Sequence, residues 1–170
     1  KSLQELVDPA GKHVVLFGAG GAARAVGVEL GLVGVKKITI VNRSPERGEG
    51  LVQLLRDKLE LDAQLVVWDG DYDIPEDAEI VINGTSIGLY DEDAALALNT
   101  DSLREGTVVA DVVFNPPKTK LLRDAADRGF MTLDGMGMLV NQGVIGVKYW
   151  TGIDPDPGVM RQTLVDIFNC

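Results

Sequence analysis

Residues 14–25, with the sequence VVLFGAGGAARA, constrain the fold more than any other stretch of this chain. Four apolar residues run into a glycine-rich turn, and the turn runs into an alanine-rich segment typical of a helix. Gly18, Gly20 and Ala23 form the pattern G-x-G-x-x-A, which permits a sharp turn, leaves the backbone open to a pyrophosphate and lets the helix pack closely on the strand. The stretch therefore predicts a strand, a phosphate-binding turn and a helix. A tight turn without a ligand is the alternative.

Apolar strand patterns and helical patterns alternate along the rest of the chain. This alternation is typical of a parallel sheet covered on both faces and connected by right-handed crossovers. We predict an α/β fold of the Rossmann type, with about six strands in the doubly wound order 3-2-1-4-5-6. The predicted strands are 13–17, 37–41, 65–68, 80–82, 107–112 and 130–132, and the predicted helices are 22–32, 45–59, 117–128, one within 135–151, and 156–168. Residues 69–77 are predicted to form an acidic loop.

Length, charge and cysteine use exclude several classes of protein. A chain of 170 residues is long enough for one domain that buries roughly 70% of its unfolded surface. Its net charge of −10 argues against nucleic acid or an anionic membrane as the main partner. No window is apolar enough to span a bilayer, and the first residues lack the apolar segment of a signal peptide. Cys170 is the only cysteine, so we expect no internal disulfide, no metal site and a cytoplasmic location.

The residues after the second predicted strand indicate which dinucleotide binds. An NAD-binding domain usually carries Asp or Glu there, whereas this chain has Asn42 and Arg43. Arg43 and Arg47 lie four residues apart near the start of a predicted helix, with Ser44 as its N-cap, so both can face one spot. Residues 36–47 hold four basic residues and one acid in an otherwise acidic chain. Guanidinium groups suit a 2′-phosphate, which predicts NADP; solvated surface arginines are the alternative.

Five motifs in this order resemble the C-terminal, NADP-binding domain of shikimate dehydrogenases, including the related quinate/shikimate enzymes. They are GAGGAARA at 18–25, NRSPER at 42–47, NGTSIGL at 83–89, ADVVFNPPKTKLL at 110–122 and DGMGMLVNQG at 134–143. Together they extend the resemblance from about residue 8 to the end of the chain.

The resemblance implies site residues for a cofactor and a small-molecule substrate. Gln142 and Phe114 would contact the substrate, shikimate or 3-dehydroshikimate; Phe114 stands where the family commonly has Tyr, so one substrate hydrogen bond is in question. The cofactor would be held by the pyrophosphate turn, by the adenosine-binding residues, by two residues at the end of the fourth strand and by two residues beside the nicotinamide. These are Gly18, Ala19, Gly20, Gly21 and Ala22, then Asn42, Arg43, Ser44 and Arg47, then Thr85 and Ser86, then Val112 and Gly135.

The resemblance also implies that a part of the enzyme is missing. The family's catalytic lysine and aspartate belong to an N-terminal substrate domain, which we expect to be absent from this chain, so we predict no catalytic residue within it. Asp111 and Asp134 match structural positions of the motifs. The histidine and the lysines match no catalytic motif and are predicted to be structural or surface residues; they include His13, Lys118, Lys120 and Lys148.

Three functions remain open from the sequence. The first is the cofactor half of a shikimate dehydrogenase, of narrow or of broader quinate/shikimate specificity, with a homodimer left open. The second is a stand-alone NADP(H)-binding module for sensing or regulation. The third is a different NADP enzyme, such as a methylene-tetrahydrofolate dehydrogenase, against which the segment DGMGMLVNQG argues. Gln142 favours an enzyme, because a sensor of NADPH alone needs no amide on the substrate side.

Overall fold

A computed structural model describes residues 2–168, so Cys170 lies outside the described residues. The strands are β1 (His13–Phe17), β2 (Lys37–Asn42), β3 (Asp62–Val67), β4 (Tyr72–Asp73), β5 (Ala78–Asn83), β6 (Leu98–Asn99), β7 (Val108–Asp111) and β8 (Met131–Leu133). Six of them form one parallel sheet in the order β3-β2-β1-β5-β7-β8. Counted along the chain, those six strands have the order 3-2-1-4-5-6, and the predicted topology is confirmed.

Helices cover both faces of this sheet. They are α1 (Gly21–Leu32), α2 (Pro45–Leu59), α3 (Lys120–Asp127), α4 (Met136–Thr151) and α5 (Pro157–Phe168), with short 3-10 helices at Leu3–Glu5 and Thr100–Ser102. Alternate residues of β1 point to opposite faces, as the pleat of a strand requires. Leu16 packs with Leu55 of α2 in one apolar core, and Phe17 packs with Leu122 of α3 in the other. The central strand is therefore buried on both sides.

The order of the strands reverses next to β1, and a crevice that can hold a ligand forms at this point. The chain moves outward from β1 to β2 and β3, then returns to the other side of β1 with β5. The turns after β1 and β5 therefore diverge and leave a crevice at the carboxyl edge of the sheet. Backbone hydrogen bonds of 2.8 Å from Gly18 N to Val41 O and from Gly84 N to Phe17 O hold the three strand ends together.

Three predictions about the elements differ most from the structure, and several other predicted boundaries are wrong by one or two residues. The third strand spans Asp62–Val67, so Trp68 follows it instead of ending it. The loop predicted at 69–77 contains β4, which pairs with β6 in a separate parallel sheet too short to show a pattern in the sequence. The helix predicted from residue 117 begins at Lys120, because the Thr119 hydroxyl accepts a hydrogen bond from Leu122 N and caps it there.

His13 lies at the amino edge of the sheet, opposite the crevice. Its side chain is buried, with Nε2 2.9 Å from Thr39 Oγ1 and Nδ1 3.1 Å from Asp77 Oδ1. These contacts fix the start of β1 and keep the imidazole remote from the crevice. Over residues 2–168, no helix is long and apolar enough to cross a membrane.

Candidate functional site

A cleft of about 530 Å³ occupies the crevice at the carboxyl edge of the sheet. Its volume is within the range of small-molecule sites. Five segments line it: the turn after β1, the start of α2, the loop after β5, the loop after β7 and one face of α4. The lining residues are Gly18, Ala19, Gly20, Gly21, Ala22, Asn42, Arg47, Gly84, Thr85, Ser86, Leu89, Val112, Val113, Phe114, Met138, Leu139 and Gln142.

The glycine turn presents bare backbone to this cleft. Gly18 has a φ of +98°, a conformation that glycine adopts without strain, and a Cβ there would lie 3.0 Å from Gly84 O. A Cβ on Gly20 would meet no atom within 4 Å, so its missing side chain leaves space open to a ligand. Gly20 is the N-cap residue of α1, and no side chain accepts hydrogen bonds from the first amides of this helix as a cap. The first turn of α1 also contains no acidic residue. The first amides of α1 are therefore available to an anion such as a phosphate.

The start of α2 forms the side of the cleft where the adenosine of a dinucleotide would lie. Asn42 Nδ2 donates a 2.7 Å hydrogen bond to Ser44 O, and Ser44 Oγ accepts one from Arg47 N as the predicted N-cap. Arg47 is exposed and lines the cleft. Arg43 is exposed too, but it lies beside the cleft, with its guanidinium carbon 5.0 Å from the ring centroid of Trp68. The structure thus places one arginine in the cleft and holds the other against an aromatic ring.

Asn83, the last residue of β5, organises the loop that lines the cleft between β5 and β7. Its Oδ1 accepts hydrogen bonds from Thr85 N at 3.0 Å and from Thr85 Oγ1 at 2.7 Å. Its Nδ2 donates to Ile87 O at 3.1 Å and to Asp111 Oδ1 at 3.0 Å. One buried amide therefore fixes the backbone on which Thr85 and Ser86 face the cleft.

Asp111 ends β7 and is buried beneath the same loop. Burial raises the pKa of this carboxyl, against the opposing effect of hydrogen bonds from Val113 N, Thr119 Oγ1 and Asn83. The two short bonds, 2.9 Å from Val113 N and 2.7 Å from Thr119 Oγ1, tie the loop after β7 to the start of α3. Asp111 is thus a structural anchor, as the motif comparison implied.

The loop after β7 and helix α4 form the side of the cleft farthest from the glycine turn. Gly135 lies behind Val112 and Val113; its N donates to Val113 O, and a Cβ on it would lie 2.4 Å from Val112 O. Only glycine allows α4 to begin this close to the loop. Gln142, two turns into α4, is exposed and lines the cleft. The Phe114 ring lies 5.7 Å from the ring of Phe168 at the end of α5.

Most of the site residues predicted from the sequence line this one cleft. Three do not: Arg43 lies over the Trp68 ring, Ser44 caps α2, and Gly135 lies behind the wall of the cleft. Sequence analysis missed five lining residues, all of which belong to the quoted motifs, and that membership was the available indication. They are Gly84 and Leu89 in NGTSIGL, Val113 in ADVVFNPPKTKLL, and Met138 and Leu139 in DGMGMLVNQG.

Three other titratable residues named in the sequence analysis have partners outside the cleft. Lys120 pairs with Asp124 at 2.8 Å and Lys148 with Asp154 at 2.7 Å, both on the surface. Asp134 Oδ1 accepts a 3.0 Å hydrogen bond from Met136 N at the start of α4. Within the described part of the chain, no group of three or more His, Cys, Asp or Glu side chains is arranged to hold a metal ion.

A doubly wound parallel sheet with an uncapped glycine turn at its switch point defines a Rossmann-type domain. The family model of shikimate / quinate 5-dehydrogenases matches residues 2–88, and that of the shikimate 5′-dehydrogenase C-terminal domain matches residues 135–165. The chain therefore belongs to the shikimate/quinate dehydrogenase family, and the resemblance found in the sequence is confirmed.

The individual relatives carry two different names. A shikimate dehydrogenase (NADP(+)) of Methanopyrus kandleri is 38% identical over 162 residues, which are 94% of this chain and 56% of that protein. The 5-ketofructose reductase of Gluconobacter sp. strain CHM43 is 52% identical with a TM-score of 0.94, over 98% of this chain and 60% of that one. A shikimate dehydrogenase in complex with NADP+ is 35% identical with a TM-score of 0.87, over 98% and 58% of the two chains. The chain thus spans little more than half the length of the relatives it matches.

Proposed function

We propose that this chain is the NADP(H)-binding half of a dehydrogenase that reduces 3-dehydroshikimate to shikimate. The observation that carries the proposal is the single cleft that joins the glycine turn, Arg47, the Thr85 loop and Gln142. We assign the lining to the parts of an extended dinucleotide: Arg47 to the adenosine end, the glycine turn to the central pyrophosphate, and the side that carries Gln142 to the nicotinamide and the substrate. The family to which the chain belongs supports the same reaction.

The residues present fit NADP(H). The amides at the start of α1 would receive the pyrophosphate, and Arg47 would pair with the 2′-phosphate of the adenosine ribose. No acid stands at the end of β2, where Asp or Glu would bind the 2′-hydroxyl of NAD. Val112 and the backbone at Gly135 would lie beside the nicotinamide. When bound, the cofactor supplies the hydride, and this chain's residues hold and orient it.

The proton-transfer step of this reaction needs a group from outside this chain. Reduction of a ketone takes one hydride from NADPH and one proton, which a general acid must deliver to the carbonyl oxygen. No lysine among residues 2–168 lines the cleft, and both Lys120 and Lys148 pair with acids elsewhere. We propose that a further domain supplies the acid and completes the substrate site, and that Gln142 and Phe114 contact the substrate from this side.

An exposed apolar face supports that further domain. Ile145, Tyr149, Trp150 and Ile153 along α4 and just after it are 65–87% exposed. Apolar patches of this kind mark surfaces that another protein surface covers. We propose that the remainder of the full-length protein, which accounts for over 40% of the relatives' length, packs against this face.

Reduction of 5-ketofructose is the second candidate. Its specific support is the 52% identity to a 5-ketofructose reductase over 98% of this chain. Phe114 agrees with a substrate other than shikimate, because it lacks the hydroxyl that the family commonly presents there. Use of quinate as well as shikimate, and a stand-alone NADP(H)-binding module, remain as the alternatives with less support.

The test is a comparison of kcat/KM values for the full-length protein. Purified enzyme is assayed at 340 nm with NADPH and 3-dehydroshikimate, with NADPH and 5-ketofructose, and with NADP+ and shikimate or quinate. We expect 3-dehydroshikimate to give the highest kcat/KM. A higher value for 5-ketofructose establishes the second candidate, and NADPH binding without turnover on any substrate establishes a binding module. Light scattering on the same sample tests the homodimer.

A further inference from the structure

We propose that Trp68 is a positioning residue that orients the Arg43 guanidinium toward the 2′-phosphate and so contributes to discrimination between NADP(H) and NAD(H). The inference rests on the proposed cofactor and goes beyond it by assigning a role to a residue outside the cleft. Arg43 and Trp68 follow the carboxyl ends of neighbouring strands, β2 and β3, at the adenosine side of the cleft.

The Trp68 ring is held rigidly from behind. Trp68 is only 7% exposed, and its backbone N donates a 3.0 Å hydrogen bond to Asn42 O at the end of β2. Its indole Nε1 donates to Ala97 O at 3.0 Å. The Phe17 ring packs against it in an edge-to-face arrangement, with the ring centroids 5.2 Å apart at an angle of 67°. The indole therefore presents one fixed face toward the surface.

Arg43 lies on that face. Its guanidinium carbon is 5.0 Å from the centroid of the Trp68 ring, within the distance of a cation–π contact. Among residues 2–168, no carboxylate forms an ion pair with Arg43. Its positive charge is therefore not neutralised within the domain.

The contact leaves hydrogen-bond donors for a ligand. A guanidinium carries five N–H donors, so donors on its far side remain available while it lies over the ring. A phosphate accepts hydrogen bonds from such donors. In the proposed role, the contact with Trp68 restricts the Arg43 side chain before the ligand arrives and keeps those donors available. Such preorganisation strengthens binding because less entropy is lost on association.

This role predicts a selective effect on one cofactor. NADP carries the 2′-phosphate and NAD does not, so a misplaced Arg43 weakens NADP binding and leaves NAD binding unchanged. If Trp68 instead packed against the adenine ring, its loss would weaken both cofactors equally, because both contain adenine. The ratio of the two dissociation constants therefore separates these roles.

The experiment measures the Kd of NADP+ and of NAD+ by titration calorimetry on the full-length protein. Trp68→Leu should weaken NADP+ binding by about two- to fivefold, the value of one cation–π contact, with no change for NAD+. Trp68→Phe, which retains an aromatic face, should restore most of the affinity. In an Arg43→Ala background, Trp68→Leu should add no further loss, because the pair then no longer exists. Phe130→Leu, which changes a partly buried aromatic residue packed against the same apolar core and outside the cleft lining, is the control.

A second variant covers the case in which Trp68→Leu does not fold. Arg43→Lys changes an exposed residue and keeps the charge, but its more strongly hydrated ammonium should hold the contact with the indole less well. We expect a similar selective loss of NADP+ affinity. Unchanged NADP+ affinity in Arg43→Lys, equal losses of both cofactors in Trp68→Leu, or a full additive loss in the double variant would overturn the inference. Failure of the unmodified protein to bind either cofactor would instead overturn the proposed function.

Discussion

The side-chain amide of Asn83 donates a 3.0 Å hydrogen bond to Oδ1 of Asp111. This bond joins the carboxyl ends of β5 and β7, the two strands whose following loops form the middle of the cleft. Through Thr85 on one side and Thr119 on the other, the pair fixes the loop after β5 and the cap of α3. The floor of the cleft is therefore a buried polar network, and such networks are rigid when every member is satisfied.

The first prediction concerns the pH dependence of stability at Asp111. Burial raises the pKa of Asp111 in the folded state, so the folded protein holds this proton more tightly than the unfolded chain. The free energy of unfolding must then fall as the pH rises from the ordinary aspartate value near 3.9 through the raised folded value, and level off above it. Asp111→Asn cannot titrate. Over that window, the stability of the unmodified protein should fall relative to Asp111→Asn, by at most about 1.4 kcal/mol per pH unit.

Urea unfolding at several pH values measures this difference. The control is Asp127→Asn, which removes an exposed carboxylate and shows how the loss of one negative charge alone changes the dependence of unfolding free energy on pH. A stability difference between Asp111→Asn and the unmodified protein that stays constant or changes in the opposite direction would contradict the assigned pKa shift.

The second prediction concerns Gly20. A Cβ there meets no protein atom within 4 Å, and the backbone has φ −80° and ψ −170°, which any residue adopts. Gly20→Val should therefore fold with nearly unchanged Tm and lose NADP binding, because the side chain would occupy the space of the pyrophosphate. Gly70→Val is the matched control, since that glycine is equally open and lies outside the cleft. Normal NADP affinity in Gly20→Val would show that the phosphates bind elsewhere.

The third prediction concerns Arg47, the arginine that lines the cleft. Arg47→Ala should weaken NADP+ binding by about ten- to a hundredfold, the equivalent of one charge-assisted contact worth roughly 1.5–3 kcal/mol. NAD+ binding should change little, because NAD+ has no 2′-phosphate. Arg104→Ala removes an equally exposed arginine that precedes β7, pairs with Glu76 and does not line the cleft. Equal losses for the two cofactors would place Arg47 at the pyrophosphate instead.

The sequence predicted the sheet because its strands are short apolar runs between strong turn patterns. The unit from His13 to Leu32 was recognisable without a structure, since an apolar run, a glycine-rich turn and an alanine-rich segment in this order are typical of a strand–turn–helix unit. The two strands Tyr72–Asp73 and Leu98–Asn99 could not be predicted, because a two-residue strand has no periodicity. Their pairing depends on contacts between residues far apart in the chain.

The site was predictable to the extent that local motifs build it. The residues of GAGGAARA and NGTSIGL line the cleft because each motif directly follows a strand that ends at its edge. The Arg43–Trp68 contact was not predicted, because Trp68 was assigned to the end of the third strand, whereas the structure places it just after that strand and beside Arg43. Met138 and Leu139 reach the cleft only because α4 returns across it. The roles of the individual site residues remain predictions.

The last prediction concerns the activity of residues 1–170 by themselves. The chain contains a complete six-stranded sheet with two apolar cores, so it should fold alone and bind NADPH. It should show no appreciable oxidation of shikimate, because no lysine or histidine within the described part of the chain lines the cleft to exchange a proton with the substrate oxygen. It also lacks a second wall to hold the substrate against the nicotinamide, and such positioning is worth about 7–11 kcal/mol. The measurement is a spectrophotometric assay with NADP+ and excess shikimate, alongside calorimetry that verifies cofactor binding in the same sample. Turnover of roughly 1 per second or more would show that a catalytic group lies within these residues. Activity restored by adding the separately purified remainder of the full-length protein would support the proposal that a further domain supplies the proton donor.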